Sequence, residues 1–127
     1  MQLLFEKSEE APGVKGLCVL KGDVRRFNFT QYGLKIPHMG WNVVSFQLSA
    51  VSFQQKILKG VPNKAYAYFV HSYYVEPKDK NIAITTTDYG MEFVSGIRKN
   101  KIYGFQFHPE KSQEIGLKMI ENFAHLR

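Results

Sequence analysis

The chain has 127 residues, of which 44% are hydrophobic and 22% are charged. These fractions are ordinary for a globular domain and exclude a disordered chain, while the length suits one domain rather than two. The single cysteine cannot form an internal disulfide, which excludes a disulfide-stapled secreted scaffold. No apolar run reaches the length of a membrane span. We therefore expect a cytoplasmic protein in a reducing compartment, with no membrane partner.

Basic residues outnumber acidic residues by 17 to 11, which gives a net charge of +6. A basic domain can bind nucleic acid. Here the lysines and arginines are scattered along the chain, and their longest runs are pairs such as Arg25 and Arg26. We therefore interpret the charge as a solvated surface, with an acidic partner as the alternative and with no nucleic-acid partner.

The first half of the chain predicts short elements. Residues 1–7 are typical of the tail of a helix with its leucines facing inward, although no capping residue precedes them. Residues 23–29 form a candidate strand. Residues 36–44 predict an edge or irregular strand, because a proline and a glycine interrupt them. Residues 53–58 predict a short helix that a glycine and a proline close.

The second half is rich in strand signals. The strongest is the run 65–75, which is dense in Tyr, Phe and Val. Three further strands are predicted at residues 82–87, 92–97 and 102–107. Ser112 is predicted to cap a final helix. The buried stripe of this helix is expected to comprise Ile115, Met119, Ile120, Phe123 and Leu126. The predicted class is α/β, as the strand-rich second half of a domain with a terminal helix.

The last predicted strand leads into the sequence Phe-His-Pro-Glu at residues 107–110. In an extended chain positions i and i+2 point to the same side, so Glu110 can lie beside the ring of His108. A carboxylate there fixes the imidazole tautomer and stabilises the imidazolium, as the acid does in a nucleophile–His–acid triad. The same spacing is common in structural salt bridges, so both interpretations stay open.

The one cysteine, Cys18, is a poor candidate for the nucleophile of such a triad. Reactive cysteines usually lie at a helix N-terminus or a strained turn with basic neighbours, whereas Cys18 lies in a smooth apolar run. We predict a small buried hydrophobic side chain at this position.

The other histidines do not predict a metal site. No two histidines are three or four residues apart, and the sequence has no pair of cysteines. His125 lies near the end of the predicted final helix, where a cation is favourable. His71 lies in the aromatic strand and is interpreted as a hydrogen-bonded core histidine. We expect neither a metal nor another cofactor.

Four segments of the chain together resemble one family. They read Met-Gln-Leu-Leu-Phe-Glu at residues 1–6, Pro-His-Met-Gly-Trp-Asn at 37–42, Tyr-Phe-Val-His-Ser-Tyr-Tyr-Val at 68–75 and Gly-Phe-Gln-Phe-His-Pro-Glu-Lys-Ser-Gln at 104–113. The Gln-Phe-His-Pro-Glu part is general to class I (triad) glutamine amidotransferases. The segments around 37–42 and 71–75 are specific to HisH, the glutamine amidotransferase subunit of imidazole glycerol phosphate synthase, and its close relatives.

This resemblance implies a flavodoxin-like α/β domain that hydrolyses glutamine to glutamate and ammonia. In this family a cysteine thiolate attacks the amide carbon. His108 matches the general base and acid, and Glu110 matches the carboxylate that orients it. The ammonia then passes to a partner, the (β/α)8-barrel cyclase HisF, which forms imidazole glycerol phosphate in histidine biosynthesis.

The resemblance also implies roles for residues outside this pair. By motif match, Gln2 is expected to bind the substrate glutamine, while Ser72 and Tyr73 hold its amino-acid end. The residues expected at the interface with the cyclase are Trp41, Asn42, Tyr68 and Lys111.

The sequence departs from the family pattern at its start. The family nucleophile lies in a Gly-x-Cys-x-Gly-Met-Gln turn, and the present numbering begins at that Met. We therefore expect residues 1–127 to be the C-terminal part of one amidotransferase domain, inactive alone because the nucleophile is missing. Cys18 cannot replace it, since it lies well downstream of the turn.

Two alternatives remain open from the sequence. A HisH-like paralogue would supply ammonia to another acceptor, such as a sugar-amidination step in surface polysaccharide synthesis. A non-catalytic module would retain only the surface that binds the partner.

Overall fold

The structure is a computed structural model that describes residues 1–29, 33–46 and 53–126. Within these ranges the chain forms eight strands, four short 3-10 helices and one α-helix. The strands are β1 (Lys7–Ser8), β2 (Gly22–Arg26), β3 (His38–Val44), β4 (Ala65–His71), β5 (Tyr73–Pro77), β6 (Ala83–Asp88), β7 (Glu92–Lys99) and β8 (Ile102–Phe105). The helices are the 3-10 segments Gln2–Leu4, Phe53–Leu58, Lys80–Ile82 and Pro109–Lys111, and α1 (Gln113–Ala124).

Six of the strands form one sheet in the order β1-β2-β5-β7-β6, with β8 also paired to β7. The pair β1 and β2 is parallel, and the other neighbours are antiparallel. This mixed sheet, followed by the terminal helix α1, agrees with the predicted strand-rich α/β class. The short strand β8 carries the chain from the sheet toward His108.

Strands β3 and β4 form a separate antiparallel sheet, paired from His38 with His71 to Val44 with Ala65. One face of this small sheet is buried and presents Phe69 and the two histidines. The opposite face exposes large apolar side chains, namely Met39, Trp41, Tyr66 and Val70. The predicted edge strand over 36–44 is therefore confirmed, and its two faces have different surroundings.

The predicted strand over 65–75 is two strands, β4 and β5, with Ser72 between them. The physical reason is a change of sheet, because β4 pairs with β3 while β5 pairs with β2 and β7. The dense aromatic pattern continues across Ser72 and gives no signal of this change.

The prediction for residues 1–7 is wrong about the helix and about Leu3, whereas Leu4 does face inward and packs against a buried apolar cluster that includes Phe5. Only Gln2–Leu4 is helical, with 3-10 geometry, and the Leu3 side chain is 67% exposed. The carbonyl of Leu3 accepts a hydrogen bond from the backbone N–H of Leu17 in the following loop. This segment is held by loop contacts and by burial of Phe5, rather than by an apolar helical face.

Two buried apolar clusters support these elements. The larger one includes Phe27, Phe69, Phe93, Phe107 and Met119. It joins the two sheets to α1 and buries Phe107, the residue before His108. The smaller one includes Phe5, Leu20, Val24, Val75, Ile82 and Ile97. The backbone around His108 therefore rests on the larger core, where close packing limits its movement.

The final helix is confirmed, but its predicted apolar stripe is only partly buried. Met119 is 2% exposed, whereas Ile120 and Phe123 are 44% and 53% exposed. The Asn122 side chain attaches the helix to the Phe53–Leu58 segment, because its Nδ2 donates to the carbonyl of Ile57. The buried face of α1 is thus narrower than the apolar stripe in its sequence.

Candidate active site

His108 and Glu110 meet just after β8, as the sequence predicts. The His108 Nδ1 atom lies 2.7 Å from Glu110 Oε1. The local geometry differs from the predicted extended chain, because Pro109–Lys111 form a 3-10 turn. This turn, which begins with a proline of fixed φ, brings the carboxylate back beside the ring.

The carboxylate determines which nitrogen of the ring is available for chemistry. Its pKa is lowered mainly by the hydrogen bond with His108, so Glu110 is ionised and accepts the bond. Nδ1 therefore carries the proton of the neutral ring, and Nε2 is the basic nitrogen. The two side chains are 38% and 58% exposed, so an incoming substrate can reach them.

The backbone of His108 is fixed by β4 and by Ser112. His108 N donates to the Tyr68 carbonyl at 2.9 Å. The buried Ser112 hydroxyl donates to the His108 carbonyl at 2.6 Å and accepts from Tyr68 N at 3.0 Å. Ser112 was expected to cap α1, and it occupies the N-cap position without a capping side-chain bond. Its hydroxyl instead joins the turn that carries His108 to β4.

Gly116 lets α1 approach this turn closely. A Cβ atom at this position would overlap the carbonyl oxygen of Pro109. The first turn of α1 can therefore pack on Pro109–Lys111 only with glycine there. The sequence pattern, in which Gly116 interrupts an apolar helix, did not indicate this role.

Gln2 and Tyr73, both expected to bind glutamine, are brought together. Gln2 Nε2 donates to the Tyr73 carbonyl at 2.8 Å and to Gln106 Oε1 at 2.9 Å. Gln106 stands two residues before His108, so these contacts place the Gln2 amide next to the segment that carries the histidine. Ser72 lies directly between β4 and β5, and its carbonyl accepts from Phe27 N.

The residues expected at the partner interface fall on different sides of the small sheet. Trp41 is 48% exposed, and its ring contacts that of Tyr68 at a centroid distance of 5.9 Å. Lys111 is exposed in the turn that holds Glu110. Asn42 faces inward, because its Nδ2 donates to the Asp88 carbonyl at 2.8 Å.

Two further histidines form a buried pair beneath the site. His38 is 3% exposed and His71 is 8% exposed. His38 Nδ1 lies 2.9 Å from His71 Nε2, and His71 Nδ1 lies 2.7 Å from the Tyr73 carbonyl oxygen. Burial is the main cause that lowers the pKa of each ring to about 4. The prediction of a hydrogen-bonded core histidine at position 71 is confirmed.

The prediction of a buried Cys18 is wrong. The thiol is exposed, and its Sγ lies 3.5 Å from the carbonyl oxygen of Gly16. The residue has a positive φ of 54°, so the chain turns at Cys18 and its thiol stays outside the core that Leu20 enters two residues later. Within the described residues, no hydrogen bond joins this thiol to His108.

His125 ends α1, as expected. It is the C-cap residue, and its Nδ1 lies 2.8 Å from the Glu121 carbonyl oxygen. The described ranges contain no group of three or more His, Cys, Asp or Glu side chains placed to hold a metal ion. In the same ranges no helix combines the length and the apolar character needed to cross a membrane.

Comparison with known proteins defines the class. The sequence profile of the family "Glutamine amidotransferase class-I" matches residues 1–126, and the chain belongs to this family. Its expected resemblance to HisH is confirmed. The chain is 51% identical over 126 residues to "Imidazole glycerol phosphate synthase subunit HisH 1" of Methanococcus maripaludis. It is 48% identical over 126 residues to subunit HisH of Methanocaldococcus jannaschii, and 48% identical over 123 residues to that of Aquifex aeolicus.

These alignments cover this chain more completely than they cover the relatives. They include 99% of this chain and 58% of the Methanococcus maripaludis protein. For the other two proteins they include 99% and 97% of this chain, and 60% and 56% of the relative. The chain thus spans less than two thirds of the length of these curated relatives.

Proposed function

We propose that this chain provides the acid–base half of a glutaminase site in a HisH-type subunit of imidazole glycerol phosphate synthase. The observation that carries the proposal is the hydrogen-bonded pair His108–Glu110, with the Gln2 amide on the neighbouring segment. Class I amidotransferase membership and the relatives named HisH support the choice of glutamine as substrate.

In the proposed reaction His108 moves the protons and Glu110 orients it. Nε2 of the ring takes the proton of a cysteine thiol, which then attacks the amide carbon of glutamine. The imidazolium that forms is stabilised by the Glu110 carboxylate at Nδ1, and it gives its proton to the leaving ammonia. Water then releases glutamate from the thioester, with His108 again acting as the base.

Gln2 is proposed to bind the substrate glutamine, and Ser72 with Tyr73 to hold its amino-acid end. The Gln2 amide is held by the Tyr73 carbonyl and by Gln106. Its orientation is therefore fixed before substrate arrives, which lowers the entropic cost of binding. The contacts support this role because they join the predicted binding residues to the strand that leads into His108.

The exposed face of the β3–β4 sheet is proposed to contact the cyclase, a HisF-type (β/α)8 barrel. Trp41 and Tyr68 pair their rings on this face, and aromatic side chains are enriched at interfaces. An open cleft of about 710 Å³ lies beside it, lined in part by Trp41, Tyr66 and Ser112. Lys111 is proposed to add a positive charge toward an acidic group of the cyclase.

The backbone hydrogen bonds around Tyr68 support this proposal, because they join the strand that carries this face to the proposed catalytic turn. Tyr68 presents its ring to the exposed face, while its carbonyl accepts the His108 N–H. Ammonia released at His108 would therefore leave close to the bound cyclase. The same proposal includes a cytoplasmic location for the enzyme.

Residues 1–127 by themselves are proposed not to hydrolyse glutamine. The single cysteine of the sequence, Cys18, bonds to the Gly16 carbonyl and has no hydrogen bond to His108. A thiol without a base to take its proton is a weak nucleophile near neutral pH. The proposal therefore takes the nucleophile to be a cysteine that is not among residues 1–127.

Glutamate release tests both parts of the proposal. The full-length gene product with a HisF-type cyclase should release glutamate from glutamine and form imidazole glycerol phosphate. Residues 1–127 with the same cyclase should release glutamate only at the background rate. No turnover by the full-length pair would overturn the proposed function, and turnover by residues 1–127 would overturn the need for another nucleophile.

A further inference from the structure

A continuous chain of hydrogen bonds runs beneath the proposed glutamine site. It begins at Asn42 on β3, passes through His38 and His71, and ends at the Tyr73 carbonyl. The distances along it are 3.2, 2.9 and 2.7 Å. The same carbonyl accepts from Gln2 Nε2. The chain therefore connects the small sheet with the residue expected to bind substrate.

The carbonyl at one end determines the proton positions. A carbonyl oxygen only accepts, so the bond at Tyr73 requires a proton on His71 Nδ1. Burial lowers the pKa of His71 to about 4, so near neutral pH the ring has one N–H and its Nε2 must accept. The donor to that Nε2 is then His38 Nδ1–H.

The other end of the chain requires the same arrangement. His38, whose pKa is also lowered to about 4, has its proton on Nδ1 and accepts at Nε2. The Asn42 amide faces this atom with Nδ2. Its orientation is fixed independently, because Nδ2 donates to the Asp88 carbonyl while Oδ1 accepts from Val43 N. Both ends therefore give one direction of donation, from Asn42 to Tyr73.

The last link determines how Gln2 is presented. Both N–H bonds of the Gln2 amide are used, one at the Tyr73 carbonyl and one at Gln106 Oε1. Its Oε1 is left as the acceptor for a donor group of the substrate. The carbonyl that holds Gln2 is held in turn by His71 Nδ1–H at 2.7 Å.

We propose that His38 and His71 are positioning residues, which fix the Tyr73 carbonyl and through it the acceptor oxygen that Gln2 offers to glutamine. The proposal rests on the proposed glutaminase function for its substrate. Neither ring touches the substrate in this arrangement. Each contributes by holding one tautomer, with the proton on Nδ1, in a site that excludes water.

The first experiment reads the tautomers and does not depend on turnover. Nitrogen-15 NMR of histidine-labelled full-length protein at neutral pH should show Nδ1 protonated and Nε2 unprotonated in both His38 and His71. His125, which is exposed, is the internal reference for a ring in contact with solvent. A protonated Nε2 in either buried ring would overturn the proposal, whatever the enzymatic activity.

The second experiment separates positioning from a merely structural role. In the full-length protein with its cyclase, His71→Phe should raise the KM for glutamine by roughly tenfold, because one hydrogen bond to the carbonyl is lost. The kcat should change by less than about twofold. His71→Asn places an N–H near the position of Nδ1 and should recover most of the lost affinity.

A matched control removes core volume without changing any residue of the hydrogen-bond chain from Asn42 to Tyr73. Ile84→Val lies in the same buried cluster as Phe69 and Phe93 and should leave the KM unchanged. An unchanged KM in His71→Phe, or an equal rise in Ile84→Val, would overturn the positioning role.

The two proposals fail in different ways. Absence of glutamine turnover by the unmodified full-length pair would refute the proposed function and, with it, glutamine as the ligand of Gln2. In that case the side-chain amide signals of Gln2 still decide the positioning step. These amide protons should exchange slowly with solvent in Ile84→Val and rapidly in His71→Phe. Equal exchange rates in the two variants would overturn the proposal.

Discussion

Three of the four histidines of this chain occupy two opposite environments. The His108 side chain is 38% exposed, with Nδ1 at 2.7 Å from an ionised carboxylate. His71 is 8% exposed, and its Nδ1 lies 2.7 Å from a neutral backbone carbonyl. The distances are the same, but a carboxylate stabilises an imidazolium far more than a carbonyl inside an apolar core does. His108 therefore faces a charged partner, whereas His71 faces a neutral carbonyl and holds one neutral tautomer.

Strand β4 supports both kinds of histidine. Tyr68 binds the backbone of His108, and His71 lies three residues further along the same strand. The proposed acid–base residue and the proposed positioning residues thus share one rigid element. The difference between these histidines therefore comes from the charge and the solvent around each ring. Changing each environment separately tests this explanation.

The largest expected effect follows from removing the exposed ring. His108→Ala in the full-length protein should lower glutamine-dependent synthesis by about 10⁴-fold, because it removes the proposed general base and acid. Synthesis from added ammonium should be spared, since the cyclase step does not need the ring. Parallel assays with glutamine and with ammonium check this, and loss of both activities would indicate a folding or docking role for His108.

The buried pair should instead make stability sensitive to acid. Folding lowers the pKa of His38 and His71 to about 4, whereas in the unfolded chain the pKa is near 6.5. The unfolded state thus binds more protons between these values. The stability that the neutral pair contributes is complete above about pH 6.5 and is lost as the pH falls toward about 4. We expect a loss on the order of 3 kcal/mol for each ring, measured by urea unfolding of the full-length protein.

Two variants sharpen this second prediction. His125→Gln removes an exposed histidine and should retain the acid-sensitive slope. The double variant His38→Phe and His71→Phe should flatten the slope, even if its stability at neutral pH is lower. A slope that persists in the double variant would assign the acid sensitivity to other groups.

Glu110, the carboxylate proposed to orient His108, should matter less than the ring itself. Glu110→Gln should lower the kcat for glutamine hydrolysis by roughly 10²-fold, because the imidazolium loses its charged partner. Glu121→Gln is the matched control, since that carboxylate also has a partner, Lys118 at 2.9 Å. Steady-state kinetics of the two variants check the prediction, and an equal loss in both would remove the special role of Glu110.

The sequence predicted contacts within one segment better than contacts between segments. The approach of Glu110 to His108 follows from residues two apart, although the turn that produces it is a 3-10 helix rather than extended chain. The chain from Asn42 to Tyr73 depends on the register that pairs His38 with His71. No local pattern reports that register, so the link between these histidines could not be foreseen.

The errors in the fold have the same origin. The break at Ser72 is invisible in the sequence because both β4 and β5 have strong strand propensity and differ only in their neighbours. Cys18 was placed in the core because its neighbours are apolar, yet the chain turns there with φ at 54°. Propensity describes a side chain and its nearest neighbours, whereas burial depends on the whole packing arrangement.

The smallest expected effect concerns the histidine in neither environment. His125 is exposed at the C-terminal end of α1, with Nδ1 at 2.8 Å from the Glu121 carbonyl oxygen. His125→Ala removes one solvated hydrogen bond and a favourable interaction with the helix dipole, worth about 0.5 kcal/mol in the free energy of unfolding. Urea unfolding at neutral pH measures this loss, and glutamine kinetics should be unchanged. If His125→Ala lowered the free energy of unfolding as much as His71→Phe does, the division of these histidines by environment would be contradicted. The exposed bond of His125 would then be as strong as the buried bond of His71.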